Sequence, residues 1–130
     1  MCRLFIGADP ALWQGVTRSV RIDGVSTSIR LESFFWSILE DIADRDHMPV
    51  SRLIGKLYVE SLEEGHTPEN FTSFLRVCCG RYMALQLDGL VPMDRQTTIA
   101  SLDAETILAR ENRQRARRGA GEFPRLASGH

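Results

Sequence analysis

RSVRIDGVSTSIRLESFFWSILEDIADRD, residues 18–46, changes its period partway along. From Arg18 to Glu32 apolar and polar residues alternate, the period of a strand with one face buried. From Ser33 the spacing becomes helical: Phe35, Ile38, Leu39 and Ile42 stand at i, i+3, i+4 and i+7, one apolar stripe. Asp23-Gly24 interrupts the alternation. That dipeptide between alternating segments is a strong signal for a two-residue hairpin loop, which sets Ile22 opposite Val25 and Val20 opposite Thr27. The apolar face is then Val20, Ile22, Val25, Ile29 and Leu31, and the opposite face carries Arg21, Ser26, Ser28 and Arg30. For the second segment this division holds with or without the hairpin.

The helix runs from Ser33, its expected N-cap, to Arg45. Pro49 in DHMPV ends it. A second helix opens at Ser51, again in a capping position, and buries Leu53, Ile54, Leu57, Tyr58 and Leu62 before Gly65 stops it. A third has Thr67 as cap and Pro68 at its first position. It buries Phe71, Phe74, Leu75, Cys78, Tyr82 and Leu85, and Gly89 closes it. Beyond lies a linker, VPMDRQTTIASLD, then AETILARENRQRARR, helix-competent but polar nearly all round, then GAGEFPRLASGH, which has the composition of a disordered tail. At the other end RLFI reads as a short strand and DPALWQG as a turn with a half-turn of helix. The expected organisation is an N-terminal arm over 1–17, a strand-helix-helix core over 18–64, a third helix over 65–90 that extends the core, and a linker with an Arg-rich tail over 91–130.

The 130 residues suit one domain with appended segments. No apolar run approaches the roughly 20 residues of a membrane helix, and MCRLFIGADP lacks the build of a signal peptide, so a cytoplasmic protein is expected. Three cysteines, two of them adjacent (Cys78, Cys79), do not make a disulfide framework. The histidines at 47, 66 and 130 are scattered and no CxxC occurs, so neither a metal nor a cofactor is expected. The sequence has no GxxxxGK[ST], GxGxxG or GxSxG motif, and nothing else in it favours an enzyme.

Net charge is −1, which argues against indiscriminate nucleic-acid binding, but the charge is unevenly spread. Residues 18–32 carry +1, residues 33–46 carry −3 and residues 104–118 carry +3, and Lys56 is the sole lysine among 16 basic residues. Arginine is the better fork for phosphates and guanine edges.

Strand, helix, Pro-containing turn and a helix opening on serine is the order of a ribbon-helix-helix DNA-binding domain. TSIRLESFFWSILEDIADRDHMPVSRLIGKLYVESL resembles that superfamily: a strand ending in RL, a helix with L..IA, then S.LI. RSVRIDGVSTSIRLE.FFW..L..IA together with NFTSFLRVCCGRY resembles more closely the small ribbon-helix-helix proteins of bacteria, found mainly in alphaproteobacteria. The resemblance covers residues 18–87.

It implies a mainly α, intertwined homodimer whose strands pair as an antiparallel ribbon over a shared core of Ile29, Leu31, Phe35, Leu39, Ile42, Leu53, Ile54 and Leu57. Such a ribbon fits the major groove of DNA. Base contacts would come from Ser26, Ser28 and Arg30. Phosphate contacts would come from Val50, Ser51 and Arg52 at the second helix's start, where free N–H groups favour an anion, and from Arg18 and Arg21. The implied function is sequence-specific binding of double-stranded DNA and transcription regulation.

Two features pull the other way. Glu32 lies on the same side as Arg30, and pairing of 18–22 within the chain gives the dimer a four-stranded sheet, wide for a groove. The alternative is a scaffold of the same fold that binds another protein through the acidic first helix or the tail.

Overall fold

The structure, a computed structural model, describes residues 2–66 and 68–119. Its one sheet among these residues is a hairpin of β1 (Gly15–Ile22) and β2 (Val25–Glu32). The helices are α1 (Cys2–Ile6), α2 (Ser33–Arg45), α3 (Val50–Glu63), α4 (Phe71–Leu87) and α5 (Ala104–Arg117), with short 3-10 turns at Pro10–Trp13 and Pro68–Asn70.

Asp23-Gly24 forms the turn, with φ of 51° and 82°. Positive φ at both central residues suits the right-handed twist of a two-residue hairpin, and glycine adopts it without strain. The register runs Ile22 opposite Val25, Val20 opposite Thr27 and Thr17 opposite Arg30, ending at Gly15 opposite Glu32. β2 therefore has its ladder partner within its own chain. β1 is longer than the alternating sequence indicated, because Gly15, Val16 and Thr17 continue the ladder.

One face of the hairpin closes on the helices. α3 packs under β1, while α2 and α4 pack under β2. Val20, Ile22, Ile29, Leu31, Trp36, Leu39, Ile54, Leu75 and Cys79 form the buried core, with Phe35, Ile42, Leu53 and Leu57 packed at its margin. Each large apolar side chain fully buried here contributes about 1.5–3 kcal/mol. All eight residues that the sequence assigned to a dimer core thus pack within a single chain. Val25, expected on the buried face, is 64% exposed, because it sits at the hairpin tip. Phe74 and Leu62, expected in buried stripes, are also exposed.

Trp36 falls outside the i, i+3, i+4 stripe yet is buried, its Nε1–H donating to Val16 O at 2.8 Å. The stripe misses it because residues 14–16 add a further wall: Ser33 N–H donates to Gln14 O at 2.9 Å. That bond also makes Ser33 the first residue of α2, with Glu32 in the cap position. Ser51 likewise lies inside α3, whose N-cap is Pro49. Thr67, the expected cap of the third helix, lies outside the described residues, as does the part of the tail beyond residue 119. RLFI is helical rather than extended. Among the described residues it has no strand partner, and Gly7 N–H donates to Arg3 O at 2.9 Å.

Residues 91–103 are fastened to the helices. Val91 is buried with Tyr82 and Leu85, and Ile99, Leu102 and Ile107 pack on the same cluster. Arg45, only 2% exposed, donates from Nε and Nη2 to Thr97 O (3.1 and 2.9 Å), from Nη2 to Asp94 O (2.9 Å) and from Nη1 to the Tyr82 hydroxyl (3.3 Å). Asp46 accepts from the backbone N–H groups of Ile99 and Ala100.

Candidate nucleic-acid interface

The uncovered face of the hairpin is built by period-two geometry. With the apolar residues turned inward, Thr17, Ser19 and Arg21 from β1 and Ser26, Ser28 and Arg30 from β2 all point outward, and all six are exposed. No apolar side chain interrupts them. Ser26, Ser28 and Arg30 are therefore together, as the sequence indicated. Thr17 and Ser19 were missed, although the Asp23-Gly24 register fixes their parity once the strand is extended to Gly15.

The polar groups are lightly tied to one another. Ser19 and Ser26 hydroxyls are 2.8 Å apart. Arg30 Nη1 reaches Thr17 Oγ1 at 3.5 Å, and its guanidinium lies across Gly15, where a Cβ would stand 2.6 Å from Nε. Gly15 thus provides the space in which Arg30 rests. Arg21 sits near the tip, its Nη1 donating to Gly24 O at 3.0 Å. The two arginines mark opposite ends of the ribbon, about 13 Å apart at the strand rise of ~3.3 Å per residue.

Arg18 does not belong to this face. Its parity turns it to the helix side, where its guanidinium lies 4.6 Å from the Trp36 ring and Nη1 pairs with Glu40 Oε2 at 2.9 Å. Arg21, by contrast, lines a cleft with Ser51, Arg52 and Lys56. α3 passes close to β1 here: a Cβ added at Gly55 would stand in ordinary van der Waals contact with Arg21 O, at 3.7 Å. The opening turn of α3 has no side-chain cap; Arg52 and Leu53 N–H donate to Pro49 O, and the N–H groups of Val50 and Ser51 have no intrahelical acceptor. Lys56, one turn beyond Arg52 on the same helix face, joins the basic end of the cleft. The sequence reading passed over it, though the i, i+4 spacing was the signal. Asp23, Glu60 and Glu63 line the cleft as well. Glu60 and Glu63 continue the α3 stripe toward its C-terminus, so the basic part is the N-terminal end.

Glu32, outward-facing next to Arg30, is held by α4. Arg76 donates from Nε to Oε1 (2.9 Å) and from Nη2 to Oε2 (3.2 Å). This hydrogen-bonded pair holds the Glu32 carboxyl below its ordinary pKa and raises that of Arg76. The carboxylate that the sequence set beside Arg30 is neutralised in place. Among the described residues no group of His, Cys, Asp or Glu is arranged to hold a metal ion, and no helix is long and apolar enough to cross a membrane.

A strand with one polar face, followed by a helix pair whose second member opens beside it, is the element order of the ribbon-helix-helix class. The chain belongs to the ribbon-helix-helix domain family, whose match spans residues 15–83. It therefore takes in the hairpin, α2, α3 and most of α4, and leaves α5 outside. Among solved structures, an uncharacterized protein from Bordetella pertussis Tohama I is similar, with 50% sequence identity and a TM-score of 0.78, covering 83% of this chain and 86% of that one. No curated protein matches the chain.

Proposed function

We propose that this chain is a sequence-specific double-stranded DNA-binding protein, a cytoplasmic transcription regulator that acts as a homodimer on a two-fold symmetric operator. One observation carries the reading: six exposed polar side chains, two of them arginines, fill the outer face of a ribbon whose other face is bound into the core. A helix-backed ribbon of this width enters the major groove, where Arg30 forks onto guanine O6 and N7, and Ser26, Ser28, Thr17 and Ser19 exchange hydrogen bonds with base edges. Arg21, Arg52, Lys56 and the open N–H groups of Val50 and Ser51 take the flanking phosphate.

Each chain brings a complete ribbon. Joining two hairpins edge to edge through β2 would set the outer strands about 14 Å apart at ~4.8 Å per spacing, against a groove about 12 Å wide. The homodimer on DNA is therefore read as two separate heads.

The test is to select duplex fragments retained by the purified chain, then titrate Arg30→Ala and Arg52→Ala on the selected and on scrambled duplexes. Arg30→Ala loses about 1–3 kcal/mol on the selected sequence and relaxes choice at one position. Arg52→Ala weakens both duplexes alike. Equal losses on both duplexes for Arg30→Ala would overturn base reading.

A second reading, a scaffold for another protein, is favoured by Leu4, Phe5 and Ile6 of α1, which are 65–76% exposed. Binding to duplexes without sequence preference, and only at low salt, would favour it.

A further inference from the structure

α5 lies outside the matched domain, and its fastening to α4 leaves one side of it turned outward. Ile107 packs into the cluster around Tyr82, Leu85 and Val91. Glu111, only 12% exposed, accepts both arms of Arg81 and is also bonded by Arg115 one helical turn away. Arg81 of α4 and Arg115 of α5 itself therefore converge on one carboxylate, on the side that faces α4.

Arg110, Arg113 and Arg117 follow the i, i+3, i+7 spacing of a single helix face. All three are exposed, and among the described residues none has an acidic partner. With Gln114 they line an open groove against Asp88 and Leu90, at the turn that ends α4. Three guanidinium groups stand there against one carboxylate. Helix dipole alone does not account for the pattern: favourable charge at a C-terminus acts within the last turn, and Arg110 and Arg113 lie deeper.

We propose that the Arg110–Arg113–Arg117 face of α5 is a second DNA-binding surface that tracks the phosphate backbone of a duplex. This rests on the reading of the ribbon as a DNA-binding head. The three residues span about 10 Å at 1.5 Å per residue, long enough for the row to meet more than one phosphate of a duplex strand. Every cation in the row is arginine, the residue whose planar fork suits phosphate oxygens. The surface adds affinity without choosing sequence. It also accounts for a strongly basic element in a chain whose net charge is −1.

The experiment compares the full chain with Arg110→Gln/Arg113→Gln/Arg117→Gln and with the corresponding triple Lys variant. Binding to a fluorescein-labelled mixed-sequence duplex of about two helical turns is titrated by anisotropy across a salt series, and circular dichroism checks the helix content. At about 0.9 per phosphate contact, the Gln variant lowers the slope of log K against log salt by roughly 2–3. The Lys variant keeps most of it, and the ratio of selected to scrambled binding stays unchanged in both.

An unchanged slope in a folded Gln variant overturns this inference and leaves the ribbon reading intact. Failure of the wild-type chain to bind any duplex overturns both. Charge-dependent capture of polyglutamate in place of DNA overturns it in favour of an acidic protein partner.

Discussion

Arg76 on α4 clasps Glu32 at the base of the ribbon with two parallel hydrogen bonds, 2.9 and 3.2 Å long. The pair joins the end of β2 to a helix 44 residues away in sequence. Both side chains are about one-third exposed, so it adds little to stability, at most about 1 kcal/mol. Its larger effect is on the field at Arg30, whose charge also acts on Glu32. Arg76→Ala is expected to leave the unfolding free energy within about 1 kcal/mol of wild type. It is expected to weaken duplex binding about fivefold, the scale of one bare charge met at ~4 Å in water. Adding Glu32→Gln restores the affinity. A titration in which the double variant binds no better than Arg76→Ala removes the electrostatic explanation.

Arg45 is the opposite case, a charge that the fold has enclosed. Its guanidinium supplies donors to Thr97 O, Asp94 O and the Tyr82 hydroxyl at once. Arg45→Ala strips those carbonyls of donors and leaves a void at the end of α2, for an expected cost of about 2–4 kcal/mol by urea unfolding. Arg45→Lys recovers only part, because one ammonium cannot span the same acceptors. Limited proteolysis of Arg45→Ala should open first within residues 91–103, the segment that Arg45 fastens. Cleavage no faster there than in wild type would show that the apolar contacts of Val91, Ile99 and Leu102 hold the segment unaided.

Tyr82 connects that enclosed charge to Asp41: its hydroxyl donates to Asp41 Oδ2 at 2.8 Å, and Arg95 pairs with the other carboxylate oxygen. Burial pushes the Asp41 carboxyl up, but the bonds from Arg95 and Tyr82 outweigh it and the net shift is downward. A carboxyl with a depressed folded pKa contributes stability that is present above its unfolded value of about 3.9 and lost as pH falls through the folded one. The midpoint of urea unfolding should therefore decline below about pH 4. Asp41→Asn should be less stable at neutral pH and show a shallower acid limb. Parallel acid limbs for the two proteins would exclude Asp41 as a source of the decline, leaving Glu32 and Glu111, whose carboxyls are lowered by arginine pairing, and Asp103, lowered by its bonds from Thr106.

The hairpin, α2 and α3 were legible in sequence because each is specified locally: Asp23-Gly24 by its backbone requirement, the strands by period two, the helices by their stripes and by Pro49 and Gly65. What escaped depends on contacts distant in sequence. Trp36 is buried by residues 14–16, and Arg45 is enclosed by carbonyls about 50 residues on. The fixing of α5 by Glu111 to Arg81 has no periodic signature either. Of the candidate site, the β2 half was readable from alternation alone. Arg18, expected to reach a flanking phosphate, instead lies on the helix side against Trp36 and Glu40, and Lys56 was passed over although its i, i+4 spacing from Arg52 was there to be read.

The most consequential pairing is the one that the turn itself closes, Ile22 opposite Val25. A lone strand over two helices needs a second chain to exist, and folding is then inseparable from association. Here β1 supplies the missing strand, and Ile29, Leu31, Leu39 and Ile54 are buried without a partner. The melting temperature should accordingly settle to a constant floor as the protein is diluted, with helix content unchanged. Dimerisation of folded chains raises it only above the dimer's own Kd. An obligate dimer behaves differently: a hundredfold dilution removes about 2.7 kcal/mol of mass-action stabilisation, a shift on the order of 10 °C for a domain of this size, and the decline continues with further dilution. Melting curves that keep falling over the whole accessible range would mean that the core closes only with a second chain, and the ribbon would again have to be shared.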